Sequence, residues 1–146
     1  MKGMKLLSAK ADKDSGVSIV RIGTDMGEFE GIAECCLEDY PNFSNYFGCS
    51  IAEIRAMQKY AKAKVKDIRA QLKSLRDFYK TMEGTRTWDP NAFYVKKLLE
   101  HSERLNKELI EWKNKVELAE KGIKVRTKEH DIIVSKIKER ADDSIN

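Results

Sequence analysis

Two long segments of this chain repeat apolar residues in steps of three and four, and this repeat limits the fold more than any other feature. Such steps are typical of α-helices that bury one seam against a partner helix. Between the segments, "EGTRTWDP" interrupts the repeat, and Pro90 suits the first turn of a new helix. We therefore predict an antiparallel coiled-coil hairpin. Its seam positions are Ala61, Val65, Ile68, Leu72, Leu75, Tyr79 and Met82 in the first helix and Val95, Leu98, Ser102, Leu105, Leu109, Trp112, Val116, Ala119 and Ile123 in the second.

The limits of the helices follow from capping residues and chain breakers. Ser50 is a suitable N-cap and Glu53 completes a capping box, so the first helix is predicted at 50–83. The second helix is predicted at 90–121, with a helical extension to the C-terminus, although Gly122 could also end it. Folded back from Pro90, the second helix draws level with Ser50 near residues 121–122.

The extension beyond Gly122 overhangs the first helix in this arrangement. It keeps the heptad phase at Ile133 and Ile137, with Arg126 and His130 at intervening core positions. A helix that is apolar on a wide face needs cover on that face. The β-strands or a second copy of the chain could supply it, so we expect a homodimer. The extension also has a second apolar line, Leu118, Val125 and Ile132.

The first third of the chain predicts a small antiparallel β meander. "VSIVRI" is β-branched and apolar, "GTDMG" has the composition of a turn, and "EFEGIAEC" alternates in hydropathy. The alternation places Phe29, Gly31, Ala33 and Cys35 on one face. "MKLLSAK" could pair across "DKDSG" as a third strand. Because so small a sheet must pack on another element, we predict one α+β folding unit, mostly α, with the meander and an aromatic loop at 1–49 and the hairpin at 50–146.

The amino-acid composition limits the class of protein and its cellular compartment. Charged residues make up 36% of the chain and apolar residues 41%, which is typical of long, solvent-exposed helices. No run of apolar residues is long enough to span a membrane, and the first residues lack the pattern of a secretory signal. Three cysteines are an odd number, so we expect reduced thiols and a cytoplasmic protein.

The three cysteines are predicted to be structural. Cys35, Cys36 and Cys49 lack the paired short spacings of a zinc site, and His101 and His130 lie far along the hairpin. No histidine stands near them in sequence to activate a thiolate nucleophile. We therefore expect small buried side chains where the sheet meets the first helix, no metal or cofactor, and no enzyme activity.

The loop between the sheet and the first helix is a candidate ligand site. It combines acids and amides with aromatic residues, and two interpretations are open: turn and capping chemistry, or contact with a ligand or partner. No nucleophile, phosphate-binding loop or metal set accompanies the acids. The residues of this ligand loop are Glu38, Asp39, Tyr40, Asn42, Phe43 and Phe47, with Arg55 from the first helix.

A row of cations on the first helix is the most specific candidate site. They recur every three or four residues over about 32 Å of helix, beside the apolar seam. The approximate opposite positions on the second helix are Lys113, Asn106 and Leu99, none of them acidic. The row could be a solvated face, or it could bind phosphate, nucleic acid or an acidic protein surface. This basic stripe consists of Lys59, Lys62, Lys66, Arg69, Lys73, Arg76 and Lys80.

The segment "GIAECCLEDYPNFSNYFGCSIAEIRA", residues 31–56, resembles a pattern of small accessory proteins of bacteriophages. In that pattern, a strand ending in cysteine leads to Glu-Asp and an aromatic residue. A glycine follows, and then a helix that opens Ile/Leu-Ala-x-x-Arg-Ala. The matching positions are Cys36, Glu38, Asp39, Phe43, Gly48, Ile51, Ala52, Arg55 and Ala56. Phage counter-defence proteins, among them anti-Thoeris nucleotide sponges and anti-CRISPR inhibitors, are drawn from such chains.

The resemblance implies a non-enzymatic inhibitor of a host immune component. The partner would be a host defence protein or ribonucleoprotein in the cytoplasm of an infected cell, with the hairpin as the binding arm and the basic stripe as its electrostatic anchor. One alternative is a sponge that holds a signalling nucleotide in the ligand loop with Arg55. A second alternative is a structural coiled-coil protein that acts as a scaffold.

Overall fold

The computed structural model describes residues 3–34 and 45–145. Three antiparallel strands in the order β1-β2-β3 precede two long helices that form a hairpin. The predicted α+β fold, mostly α with a β meander and a helical hairpin, is therefore confirmed. The elements are β1 (Lys5–Asp12), β2 (Val17–Thr24), β3 (Gly27–Glu34), α1 (Asn45–Glu83) and α2 (Phe93–Ile145).

The contacts of the chain divide it into two compact units, and both helices run through both of them. The sheet unit comprises Met1–Tyr60 and Glu117–Asn146, so it contains the meander, the start of α1 and the end of α2. The hairpin unit is Ala61–Val116, with the loop between the helices. No helix in the described ranges is long and apolar enough to cross a membrane.

One face of the sheet packs on α1 in the sheet unit. Gly31 lies against the helix backbone so closely that a Cβ there would stand 1.8 Å from the Ala52 carbonyl oxygen. Phe29 packs on Tyr60, with ring centroids 5.6 Å apart. The alternation predicted for β3 is confirmed at Gly31 and Ala33, and Cys35 lies outside the described residues. The buried residues of this interface include Ser18, Val20, Ile22, Ala33, Ala52, Ala56 and Tyr60.

Helix α1 begins at Asn45, so the predicted N-cap at Ser50 is wrong. Ser50 lies inside the helix, and its hydroxyl oxygen accepts a hydrogen bond of 2.5 Å from Arg126 Nε on α2. The sequence around Ser50 has the pattern of a helix cap, but in the folded protein the Ser50 hydroxyl bonds to Arg126 on the other helix. Cys49, predicted at the corner between sheet and helix, therefore lies within α1 as a half-buried free thiol.

Helix α2 begins at Phe93, three residues after the predicted start at Pro90. The Ala92 amide first donates to the Asp89 carbonyl, which makes a turn before the helix. The helix then passes through Gly122 without a break. Because of the later start, Ser50 is level with Arg126 and not with residues 121–122.

All the predicted seam positions are buried or half-buried, which confirms the seam. Beyond it, the predicted heptad phase at Ile133 is wrong: Ile133 is 45% exposed, whereas Val134 is 5% exposed. An α-helix has 3.6 residues per turn, so a strict heptad drifts around a straight helix unless the pair supercoils. The second apolar line, Leu118, Val125 and Ile132, is exposed.

Candidate functional site: the cationic face of the hairpin

Six of the seven basic-stripe residues lie in the hairpin unit, and all six are exposed. Their steps of four and three on α1 keep them within about 80° of the helix circumference over about 27 Å of its length. The apolar seam holds this face outward, because Val65 and Ile68 between the cations are buried. The six are Lys62, Lys66, Arg69, Lys73, Arg76 and Lys80.

None of these six side chains forms an ion pair or hydrogen bond with any described residue. Cations elsewhere do find partners: Arg21 pairs with Glu30 at 3.1 Å, and Lys97 pairs with Glu100 at 3.4 Å. Like charges repeated at this spacing repel one another, since each lies within a Debye length of its neighbours. An anionic partner would relieve that repulsion.

Lys59, the first residue of the basic stripe, is used differently. It lies in the sheet unit, where its ammonium donates a 2.6 Å hydrogen bond to the Glu30 carbonyl of β3. One turn earlier on α1, Arg55 Nη1 donates to the Ile32 carbonyl at 2.6 Å. Because β3 pairs with β2 alone among the described strands, these two cations cover carbonyls on its other edge. They protect an edge that could otherwise pair with another strand.

Most of the predicted ligand loop is not tested by the described part of the chain. Glu38, Asp39, Tyr40, Asn42 and Phe43 lie outside the described residues. The two remaining members make contacts within the sheet unit: the Phe47 ring packs on His130 with centroids 5.3 Å apart, and Arg55 binds β3.

The histidines and the described cysteine form no common cluster. Cys35 and Cys36 lie outside the described residues, and Cys49 is in α1. His101 is in the hairpin unit, where its Nδ1 lies 3.5 Å from Arg104 Nη2. Within the described residues, no three side chains among His, Cys, Asp and Glu stand close enough together to hold a metal ion.

Sequence reasoning missed a groove beside the basic stripe in the hairpin unit. Leu75 and Tyr79 of α1 and Leu98 of α2 line this groove, which has a volume of about 390 Å³. Arg76 and Lys80 stand at its rim. The signal was present in the sequence as the absence of acids opposite the stripe, where Leu99 and Asn106 occur instead. The remaining lining residues are Leu72, Glu83, Leu99, Ser102 and Asn106.

Other cations of the hairpin unit lie over aromatic rings. Lys115 Nζ is 4.0 Å from the centroid of the Trp112 ring, and Lys64 Nζ is 5.7 Å from it. Lys97 Nζ lies 5.2 Å from the centroid of Phe93. Attraction to the ring face stabilises such a charge. These lysines are therefore less available to a partner than those of the basic stripe.

An unexpected polar contact lies in the sheet unit. The Tyr60 hydroxyl donates a short hydrogen bond to the Asp25 carboxylate, in the turn between β2 and β3. Burial, the hydrogen bond and the negative charge of Asp25 raise the pKa of Tyr60 to about 12. The phenol is therefore protonated at neutral pH and serves as a hydrogen-bond donor that holds the turn on the helix.

No known family model, curated protein or solved structure matches this chain. The fold and the surface therefore define its class: a small α+β protein whose helical hairpin carries exposed cations beside an apolar groove.

Proposed function

We propose that this chain is a non-enzymatic binding protein whose helical hairpin engages an acidic partner through the basic stripe. One observation carries the proposal: six exposed cations follow one face of α1, and none pairs with a described residue. A surface that only aids solubility usually mixes both signs of charge. A face of one sign attracts partners of the opposite sign and speeds their association.

The biological role we propose is phage-type counter-defence. The protein binds a host defence protein or ribonucleoprotein in the cytoplasm of the infected cell and inhibits it. This role is supported by the resemblance of residues 31–56 to small phage accessory proteins. The hairpin unit supplies the contact surface, and the sheet unit packs the start of α1 through Gly31 and Ala52.

Charge reversal tests the proposal. In the variant K66E/R69E/K73E/R76E the net charge falls from +4 to −4, while the apolar seam is unchanged. We expect circular dichroism as for the wild type, because all four side chains are exposed. In bacteria that carry a defence system such as CRISPR–Cas, the wild-type protein should restore phage plaques, and the variant should lose most of that activity.

A matched variant separates position from net charge. K10E/K13E/K96E/K107E changes the charge by the same amount at exposed residues outside the basic stripe, and it should retain wild-type activity. Equal loss in both variants would show that only net charge matters. Full activity of the stripe variant would rule out the stripe as the contact surface.

A further inference from the structure

We propose that the segment of the partner that docks beside the basic stripe is an acidic amphipathic α-helix, seated in the groove between α1 and α2 of the hairpin unit. This inference rests on the proposed function and names the chemistry of the partner. The groove combines an apolar floor, a cationic flank on α1 and exposed apolar side chains on α2, all within Ala61–Val116.

The floor of the groove is apolar and open. Leu75, Tyr79 and Leu98 line it, and its volume of about 390 Å³ is enough for several aliphatic side chains. The Tyr79 ring packs edge-on against Trp88, with centroids 5.0 Å apart, and this contact fixes the end of the groove near the loop. Apolar side chains of a partner would gain by leaving water here.

The α2 flank of the groove extends this apolar surface. Leu99 is 50% exposed and Ile110 is 60% exposed, although both stand in a highly charged helix. Their separation of eleven residues corresponds to about 16 Å and three turns, so they share one side of α2. Leu99 lines the groove itself. They are two exposed apolar side chains on the side of α2 that faces the basic stripe, with Glu103 and Asn106 between them.

The α1 flank is cationic. Arg76 and Lys80 stand on the rim, and Lys73, Arg69 and Lys66 continue the stripe toward the level of Ile110. A ligand in the groove therefore meets cations along the α1 edge and aliphatic side chains at Leu99 and Ile110 on the α2 edge. An amphipathic helix with acids on one flank of its apolar face matches both edges.

Nucleic acid fits this surface less well. Phosphates would use the cations but gain nothing from Leu99 and Ile110. Single strands also need exposed rings for base stacking, whereas Tyr79, the aromatic residue that lines this groove, is half-buried against Trp88.

A helix is also the conformation that an apolar groove favours. Backbone amides and carbonyls taken out of water need hydrogen-bond partners, and a helix satisfies them internally. Anchors at i, i+4, i+7 and i+11 span about 16 Å, which is the distance between Leu99 and Ile110 along α2. The docked segment would complete a three-helix arrangement.

The test uses a designed, fluorescein-labelled peptide of about 18 residues. It carries leucines at i, i+4, i+7 and i+11 and glutamates on one flank. A control peptide has the same composition with the leucines distributed around the helix. By fluorescence anisotropy, we expect the designed peptide to bind with a Kd of about 10 µM, and the control peptide to bind at least about tenfold more weakly.

Variants of the protein test whether the peptide binds in the groove. L99S/I110S should fold normally, because both side chains are exposed. It should bind the designed peptide about tenfold more weakly and lose activity in the phage assay. A matched variant, F93S/Y94S, removes exposed aromatic rings that do not line this groove. It should bind the peptide as the wild type does.

The alternative outcomes are distinct. The inference would be overturned in favour of nucleic acid by three results together: tight, strongly salt-dependent binding of a 20-base-pair duplex, full activity of L99S/I110S, and no binding of the peptide. The proposed function would still stand in that case. The inference also fails if the peptide binds equally well to the wild type and to L99S/I110S. Wild-type activity of K66E/R69E/K73E/R76E would refute the proposed function, whatever the peptide does.

Discussion

At Gly31 the sheet meets helix α1 at a distance that no other residue type permits. A Cβ at this position would stand 1.8 Å from the Ala52 carbonyl oxygen and 2.5 Å from the Ala56 amide nitrogen. Both are backbone atoms and cannot rotate away. The approach depends on small residues on both sides, because Ala52 and Ala56 are themselves fully buried.

Substitution of Gly31 by alanine should be strongly destabilising. The added methyl group forces the sheet and α1 apart, and we expect a loss of about 3 kcal/mol in the free energy of unfolding. Urea unfolding followed by circular dichroism would measure it. The matched change Gly84→Ala, where the nearest atom is 3.6 Å away, should have little effect. Equal stabilities of the two variants would contradict the described packing.

The contact between Tyr60 and Asp25 should give stability a dependence on alkaline pH. The pKa of Tyr60 is raised from 10.0 to about 12, so the folded state holds the proton more tightly than the unfolded state does. The resulting stabilisation is complete below pH 10 and is lost as the pH rises through about 12. Tyr60→Phe should cost about 2 kcal/mol at neutral pH.

Comparison of wild type and Tyr60→Phe between pH 9 and pH 12 isolates this effect, because the other titrating groups are common to both proteins. The difference in their free energies of unfolding should shrink as the pH rises. A constant difference across this range would show that Tyr60 titrates normally in the folded protein.

Individual side-chain roles were only partly predictable from the sequence. The alternation of β3 placed Gly31 and Ala33 on the buried face, but it could not show how closely α1 approaches. Spacing assigned Lys59 to the basic stripe, yet the structure directs it to a β3 carbonyl. Such contacts join residues distant in the chain, and no local pattern encodes them.

At the scale of elements, the hairpin seam is the feature that periodicity predicted best. Leu105 and Ile68 are nearly fully buried, as the steps of three and four require. The helix ends were predicted less well, since capping signals are weak beside tertiary contacts such as the bond between Arg126 and Ser50. The heptad phase predicted at Ile133 was wrong because the 3.6-residue period of an α-helix moves out of step with a seven-residue repeat over several turns.

A charge placed in the seam should unfold the hairpin unit. Leu105→Asp would bury an unpaired carboxylate at a position that is 5% exposed, at a cost of about 3 kcal/mol or more. We expect a lower melting temperature and reduced helicity by circular dichroism. Ile110→Asp, on the exposed side of the same helix, should melt as the wild type does. Unchanged melting of Leu105→Asp would show that the seam is wrongly placed.

At the scale of the whole molecule, the exposed line Leu118, Val125 and Ile132 is the surface through which we propose that two copies of the chain associate. If two α2 helices crossed antiparallel with Val125 opposite itself, Leu118 would face Ile132 of the second copy. Lys121 would then face Glu129, so charges of opposite sign would meet beside the apolar contacts. Such a pair would bring the apolar side chains of the two copies together, and a scaffold could use the same line.

Light scattering tests this association. We expect a dimer at about 50 µM and a monomer for Val125→Asp, since two carboxylates would meet at the two-fold axis. Ser135→Asp, an exposed change in the same unit, should leave the dimer intact. A monomeric wild-type protein at this concentration would refute the homodimer.

The division of the chain into two units has a consequence for the evolution of its gene. The hairpin unit is one uninterrupted run, Ala61–Val116, whereas the sheet unit is assembled from both ends of the chain. A single recombination event could therefore exchange the entire proposed contact surface and leave both parts of the sheet unit in frame. The two junctions would only have to preserve helical phase. A gene for the proposed inhibitor could in this way acquire a new target while the rest of the protein stays the same.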